Sequence, residues 1–205
     1  MIREEATETL EAREAREARD EDCAVRRAPA VRWVSEEWDA PAPARLREQM
    51  SAELAPRYAP VEHRRVRAPQ PAAEEIVVTW VAYADDVPVA TASLRRLPDR
   101  HEVKRVFVHP DHRGRGLARA ALSAVESTAL SLGVERLWLQ TGALQPEARA
   151  LYTREGWQEV RPYAPYDRNP FSVCFTKALT EPTPASASAS ASASASASAS
   201  APRSR

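Results

Sequence analysis

Glycine is scarce in this 205-residue chain: there are five, all between Gly114 and Gly156. Cysteine is scarcer, with Cys23 in a charged stretch and Cys174 in a late apolar run. Two thiols so placed imply neither a disulfide framework nor a zinc site. No apolar run is long enough to span a bilayer, and the N-terminal residues lack the apolar segment of a secretory signal. A cytoplasmic location is therefore expected. Charge of one sign is also missing, since 29 Lys and Arg balance 29 Asp and Glu. No global field then draws the chain to nucleic acid or to an anionic membrane, and neither is expected as a partner.

The two ends differ from the middle. Residues 1–30 contain the repeat "EAREAREARDEDC", whose helix would be polar all round with no face to bury, so a disordered extension is expected. Residues 181–205 alternate Ser and Ala and lack the branched and aromatic side chains of a core, as a flexible tail does. Residues 31–180 are long enough for one domain around one core.

Within that domain, "VRWVSEEW" (Val31–Trp38) alternates as a strand does. Leu46, Met50 and Leu54 recur every four residues, predicting a helix that breaks near Pro56 and gives way to a proline-rich loop as far as Pro71. "EIVVTWVAYADDVPVATASLRRL" reads as a hairpin turning at Asp85-Asp86. His101–Val108 is the next strand, followed by a helix with Leu117, Ala121, Val125, Thr128 or Ala129, and Leu132 on its apolar face, closed by Gly133. Val134–Thr141 is a strand, "QPEARALYTREG" a short helix, and Phe171–Leu179 a last strand. The strand–helix–strand from His101 to Thr141 predicts a parallel pair beside an antiparallel hairpin, hence a mixed α/β sheet. Trp33, Trp38, Trp80 and Trp138 are read as core residues.

Gly133 and Gly156 end helices, and Gly142 follows a strand. Gly114 and Gly116 have no such task, yet they interrupt the run "VHPDHRGRGLARAAL" at a strand-to-helix junction. The first turn of a helix presents N–H groups without intrahelical partners, together with the positive end of the macrodipole. Phosphates bind there, and glycine lets them approach. Arg113-Gly-Arg-Gly-Leu-Ala118 therefore reads as a pyrophosphate cradle, although an Arg/Gly-rich turn can also sit on a surface and bind nothing. The Walker pattern needs a lysine this loop lacks, and the dinucleotide fingerprint needs glycine where Arg119 stands.

The wider pattern resembles the GCN5-related N-acetyltransferase family. Its phosphate loop, Arg/Gln-x-x-Gly-x-Gly/Ala, is matched at Arg113, Gly116 and Ala118, after a strand ending in Val108 and Pro110. Its later helix, Asn-x-x-Ala-x-x-Leu-Tyr-x-x-x-Gly-Phe, is matched by "QPEARALYTREGW", with Gln145 for the asparagine and Trp157 for the phenylalanine. The resemblance implies a twisted mixed sheet whose two central parallel strands splay apart, flanked by helices. Acetyl-CoA would lie in the splay, its pantetheine arm beside Phe107 and Val108. Its pyrophosphate would rest on the Arg113, Gly114, Arg115, Gly116, Leu117 and Ala118 loop, with a polar contact from Gln145.

Acetyl transfer to an amine needs an amine proton removed, donors for a developing oxyanion, and a proton for the departing thiolate. Strand N–H groups freed around Val108 would serve as donors. The resemblance implies Tyr152 as the acid and Glu102 as the base through water, while Glu102 at a strand end could equally pair with Lys104 or Arg105. Tyr163, Tyr166 and Asp167 could bind a cationic amine, or form an ordinary turn. His101, His109 and His112 show no metal-ligand spacing, so no metal is expected. The expected activity is direct acetyl transfer from acetyl-CoA to a primary amine of a small molecule or peptide, by a monomer or homodimer. The competing reading is a catalytically silent acyl-CoA sensor of the same fold.

Overall fold

The computed structural model describes residues 30–66 and 69–179. The two extensions, with Cys23, lie outside them. Seven strands form one sheet: β1 (Val31–Glu36), β2 (Ile76–Ala84), β3 (Val87–Leu97), β4 (Arg100–Val108), β5 (Arg136–Gly142), β6 (Gln158–Val160) and β7 (Ser172–Ala178). Their order is β1-β2-β3-β4-β5-β7-β6, with β4 and β5 the parallel pair and the other neighbours antiparallel. Asp85 and Asp86, at φ 48° and 62°, make the β2–β3 turn. Positive φ at both positions suits a two-residue hairpin, because its twist follows that of the strands.

Helix α1 (Pro41–Tyr58) runs through Pro56 instead of breaking there. A proline so near the C-terminal end removes one hydrogen bond from the last turn, and a 3-10 segment (Ala59–Arg64) follows directly. Of the three apolar residues that predicted this helix, Leu46 is buried, whereas Met50 and Leu54 remain partly exposed. Helix α2 (Leu117–Ser131) crosses from β4 to β5 and buries Leu117, Ala121, Leu122, Val125 and Ala129. Leu132, expected on that face, is 55% exposed because it caps the helix end beyond the sheet. The main core joins this face to Leu94, Val103, Leu137, Leu139 and Phe175. Helix α3 (Pro146–Arg154) then brings Tyr152 and, just beyond it, Trp157 against the same core. Trp33 and Trp80 only flank that core, so their burial is less complete than the sequence suggests. Strand β6 has three residues, too few for alternation to announce it. Among the described residues no helix is long and apolar enough to cross a membrane.

Candidate active site

β4 and β5 pair only from His101 to Val103, against Leu137 to Leu139. Beyond that point they part, while β3 stays bonded to β4 as far as Val108 and β7 to β5 as far as Gly142. The gap is the expected splay. It opens at Lys104, earlier than the sequence indicated. A bulge lies at the same place: between Thr91 and Ser93 of β3, the β4 partners run from Phe107 back to Lys104, one residue more. Arg105 sits in the bulge at φ 56°, a left-handed conformation that is uncommon outside glycine and concentrates at functional sites.

The His109 N–H donates to Val89 O at 2.8 Å, toward β3. By the alternation of an antiparallel ladder, the N–H and C=O groups of Val108 and Val106 then face the gap. One of them is engaged, since Arg113 Nε donates to Val108 O at 3.1 Å, and the same guanidinium pairs with Glu53 of α1.

Two cavities meet in the splay. One, of about 500 Å³, lies among α1, the β4 edge, the glycine loop and α3. Phe107, Val108, Arg113, Gly114, Gly116, Leu117, Ala118 and Gln145 of the expected cofactor set line it, and Arg115 does not. Gly114 and Gly116 have φ 75° and 77°, and a Cβ built on either would meet nothing within 4 Å. Glycine there meets a backbone requirement and not a packing one. Among the described residues no backbone N–H from Gly114 to Arg119 finds a backbone acceptor before Ala120 bonds to Gly116 O at 3.0 Å. The loop thus presents free donors at the start of α2, the chemistry a pyrophosphate needs.

The second cavity, about 440 Å³, lies under α1 and the residues after it, against β4, β5 and the segment leading into β7. Both cavities are lined by Met50, Leu54, Val106, Gln145, Ala148 and Tyr152. Tyr152 is 7% exposed, with its ring near Trp157 and Phe175, and its hydroxyl makes no hydrogen bond among the described residues. Burial alone pushes its phenol above the ordinary value, so it remains protonated. Gln145 Nε2 donates to Tyr58 Oη at 3.2 Å, so its amide is held by α1 at the mouth of both cavities.

The expected glutamate base is corrected. Glu102 is fully buried and lines neither cavity. Its carboxylate accepts from Tyr163 and Tyr166 at 3.0 Å each, and faces Arg95 at 3.5 Å and Lys104 at 3.7 Å. The basic-neighbour reading holds for Lys104, while Arg105 is not a partner. The expected amine-binding set is corrected too. Tyr166 lines the second cavity, whereas Tyr163, stacked edge-on against Trp138, and Asp167 do not. The lining contains Arg65, Lys104 and Arg105 and, among the described residues, no carboxylate. The sequence presents Lys104 and Arg105 only as candidate partners of Glu102, because the bulge that brings both to the cavity wall is a register feature. Cys174 is buried in β7 and its thiol is pushed up to about 11 by burial, so it remains protonated.

The acetyltransferase (GNAT) family model matches residues 31–157, and the chain belongs to that family. It is 34% identical over 106 residues, covering 50% of this chain and 70% of the relative, to an uncharacterized N-acetyltransferase, YsnE, of Bacillus subtilis. It is 38% identical over 78 residues to an IAA acetyltransferase of Azospirillum brasilense, a match spanning 38% of this chain and 51% of that protein, about half its length. A candidate acyl-CoA N-acyltransferase of Klebsiella pneumoniae superposes with a TM-score of 0.62 at 25% identity, over 73% of this chain and 98% of its own.

Proposed function

We propose that this chain is an acetyl-CoA-dependent N-acetyltransferase that passes the acetyl group directly to an amine in a ternary complex. The observation that carries this reading is the meeting of two cavities at Tyr152 and Val106, one holding the glycine loop and the other open to an acceptor. Acetyl-CoA would supply the acetyl group, activated as a thioester. Gly114, Gly116, Leu117 and Ala118 would hold its pyrophosphate through their N–H groups, and the free edge of Val106 and Val108 would align its pantetheine amides. For Val108 the Arg113 side chain must first release the carbonyl it now occupies.

The Val106 N–H, of a residue on the wall common to both cavities, would polarise the acetyl carbonyl in place of Val108. Tyr152 keeps a proton at Oη for the sulfur of the leaving group. Glu102 touches neither reactant. It would act as a positioning residue that fixes Tyr166 and Lys104, and the amine's proton would pass to solvent. Among the described residues Cys174 is buried in β7 and lines neither cavity, which favours direct transfer over an acyl-enzyme at this thiol.

Thermal unfolding with acetyl-CoA, free CoA and ATP tests the cofactor. At about a hundred times its dissociation constant, a ligand adds roughly 2.7 kcal/mol, a rise of several degrees in a domain of this size. A rise with both coenzymes and none with ATP is expected. No rise with acetyl-CoA would remove the enzyme reading and the silent-sensor alternative together. Binding without CoA release from any amine would favour the sensor.

A further inference from the structure

We infer that the acceptor is an amine carrying its own carboxylate on an apolar body, and that Lys104 and Arg105 receive this carboxylate at the β4 bulge. This rests on the N-acetyltransfer reading and names the substrate class for the same site.

In a regular strand, consecutive residues point to opposite faces. Val103 and Val106 pack on the α2 side, and Phe107 packs with Leu46 of α1 on the other. Only two residues separate Val103 from Val106, and the bulge lets both, Lys104 and Arg105, line the acceptor cavity. Two adjacent cations on one wall are thus a product of the extra residue.

Their charges are unevenly matched. Arg65 has Glu62 at 2.8 Å. Lys104 shares Glu102 with Arg95, and its nearest contact is the neutral Tyr166 hydroxyl at 2.9 Å. Among the described residues Arg105 bonds only the side-chain oxygen of Gln70, and its Nε is buried without a partner. Burial and the nearby charge of Arg47 lower its pKa, and burial does the same for Lys104. A half-buried guanidinium without a carboxylate is costly, and its planar fork matches one. One uncompensated cation calls for one negative charge, which fits a carboxylate better than a phosphate dianion. Met50, Leu54, Tyr58 and Phe171 line the same cavity and would cover an apolar body.

The test uses acid and amide pairs of one body: phenylalanine, leucine and methionine, their amides, and phenethylamine as the decarboxylated form. CoA release is followed at saturating acetyl-CoA. At least about tenfold higher kcat/KM for the acids is expected, which corresponds to one charged contact. Arg105→Gln should abolish the preference and Arg105→Lys retain part of it, with the acetyl-CoA thermal shift preserved in both as the check on folding. Equal or better turnover of the amides, or a preference that survives Arg105→Gln, overturns the inference and leaves the N-acetyltransferase reading standing. A second arm needs no transfer: 3-phenylpropionate should stabilise the CoA-bound wild type and not Arg105→Gln. If it does while no amine is acetylated, the carboxylate site stands and the transferase reading fails. If it stabilises neither, the carboxylate site is overturned.

Discussion

The Tyr166 hydroxyl stands between Glu102 and Lys104, donating to the carboxylate at 3.0 Å and accepting from the ammonium at 2.9 Å. This one oxygen links a fully buried anion to a cation on the cavity wall. Tyr166→Phe removes both bonds without changing volume. A loss of about 1–3 kcal/mol is expected by urea denaturation. Glu102→Gln should cost more, about 3–5 kcal/mol, because Lys104 and Arg95 then lose their shared buried counter-charge. Equal stability of wild type and Glu102→Gln would show that the carboxylate is not the hub of this network.

Tyr152→Phe addresses the chemical step. With the proton donor gone, kcat is expected to fall by about 10²–10⁴, while the acetyl-CoA thermal shift is unchanged. Undiminished turnover would remove the acid assignment. Burial raises the Tyr152 pKa, so the protonated, active form persists up to and beyond the usual value of about 10. The kcat profile should therefore climb with acceptor deprotonation and show no descending limb from this tyrosine below about pH 10. A descending limb near neutrality, retained in Tyr152→Phe, would point to another group.

Gly142→Ala probes the closure of the acceptor cavity. A Cβ there would fall 1.6 Å from Tyr58 Oη and 2.8 Å from Gln145 Nε2. Tyr58 must move, and overpacking of this kind costs about 1–3 kcal/mol. Adding Tyr58→Phe removes the nearest atom and should recover part of the loss. A double mutant no more stable than Gly142→Ala would place the strain elsewhere.

What could be read in the chain beforehand was local. The glycine loop and the Asp85-Asp86 turn each depend on a few consecutive residues whose backbone demands are fixed by chemistry. The α3 motif is local in the same way, and its Tyr152 lies on the wall common to both cavities. The bulge at Arg105 was hidden, because an extra residue in β4 exists only relative to β3. The partners of Glu102 were hidden too: Tyr163 and Tyr166 lie more than sixty positions away. Met50 and Leu54 show the limit of periodicity, since their spacing announced a helix face but not that this face walls a cavity.

The opened half of β4 has a consequence outside catalysis. A strand with unpaired N–H and C=O groups is a template on which a strand of another chain can be laid down. Here Arg113 occupies one group of that template, the Val108 carbonyl, and Glu53 anchors the arginine from α1. The residue that heads the glycine loop is thereby expected to limit self-association of the free protein. Removing its side chain, as in Arg113→Ala, should leave the sheet intact and make the unliganded protein, far more than the CoA-bound one, prone to aggregate through its centre.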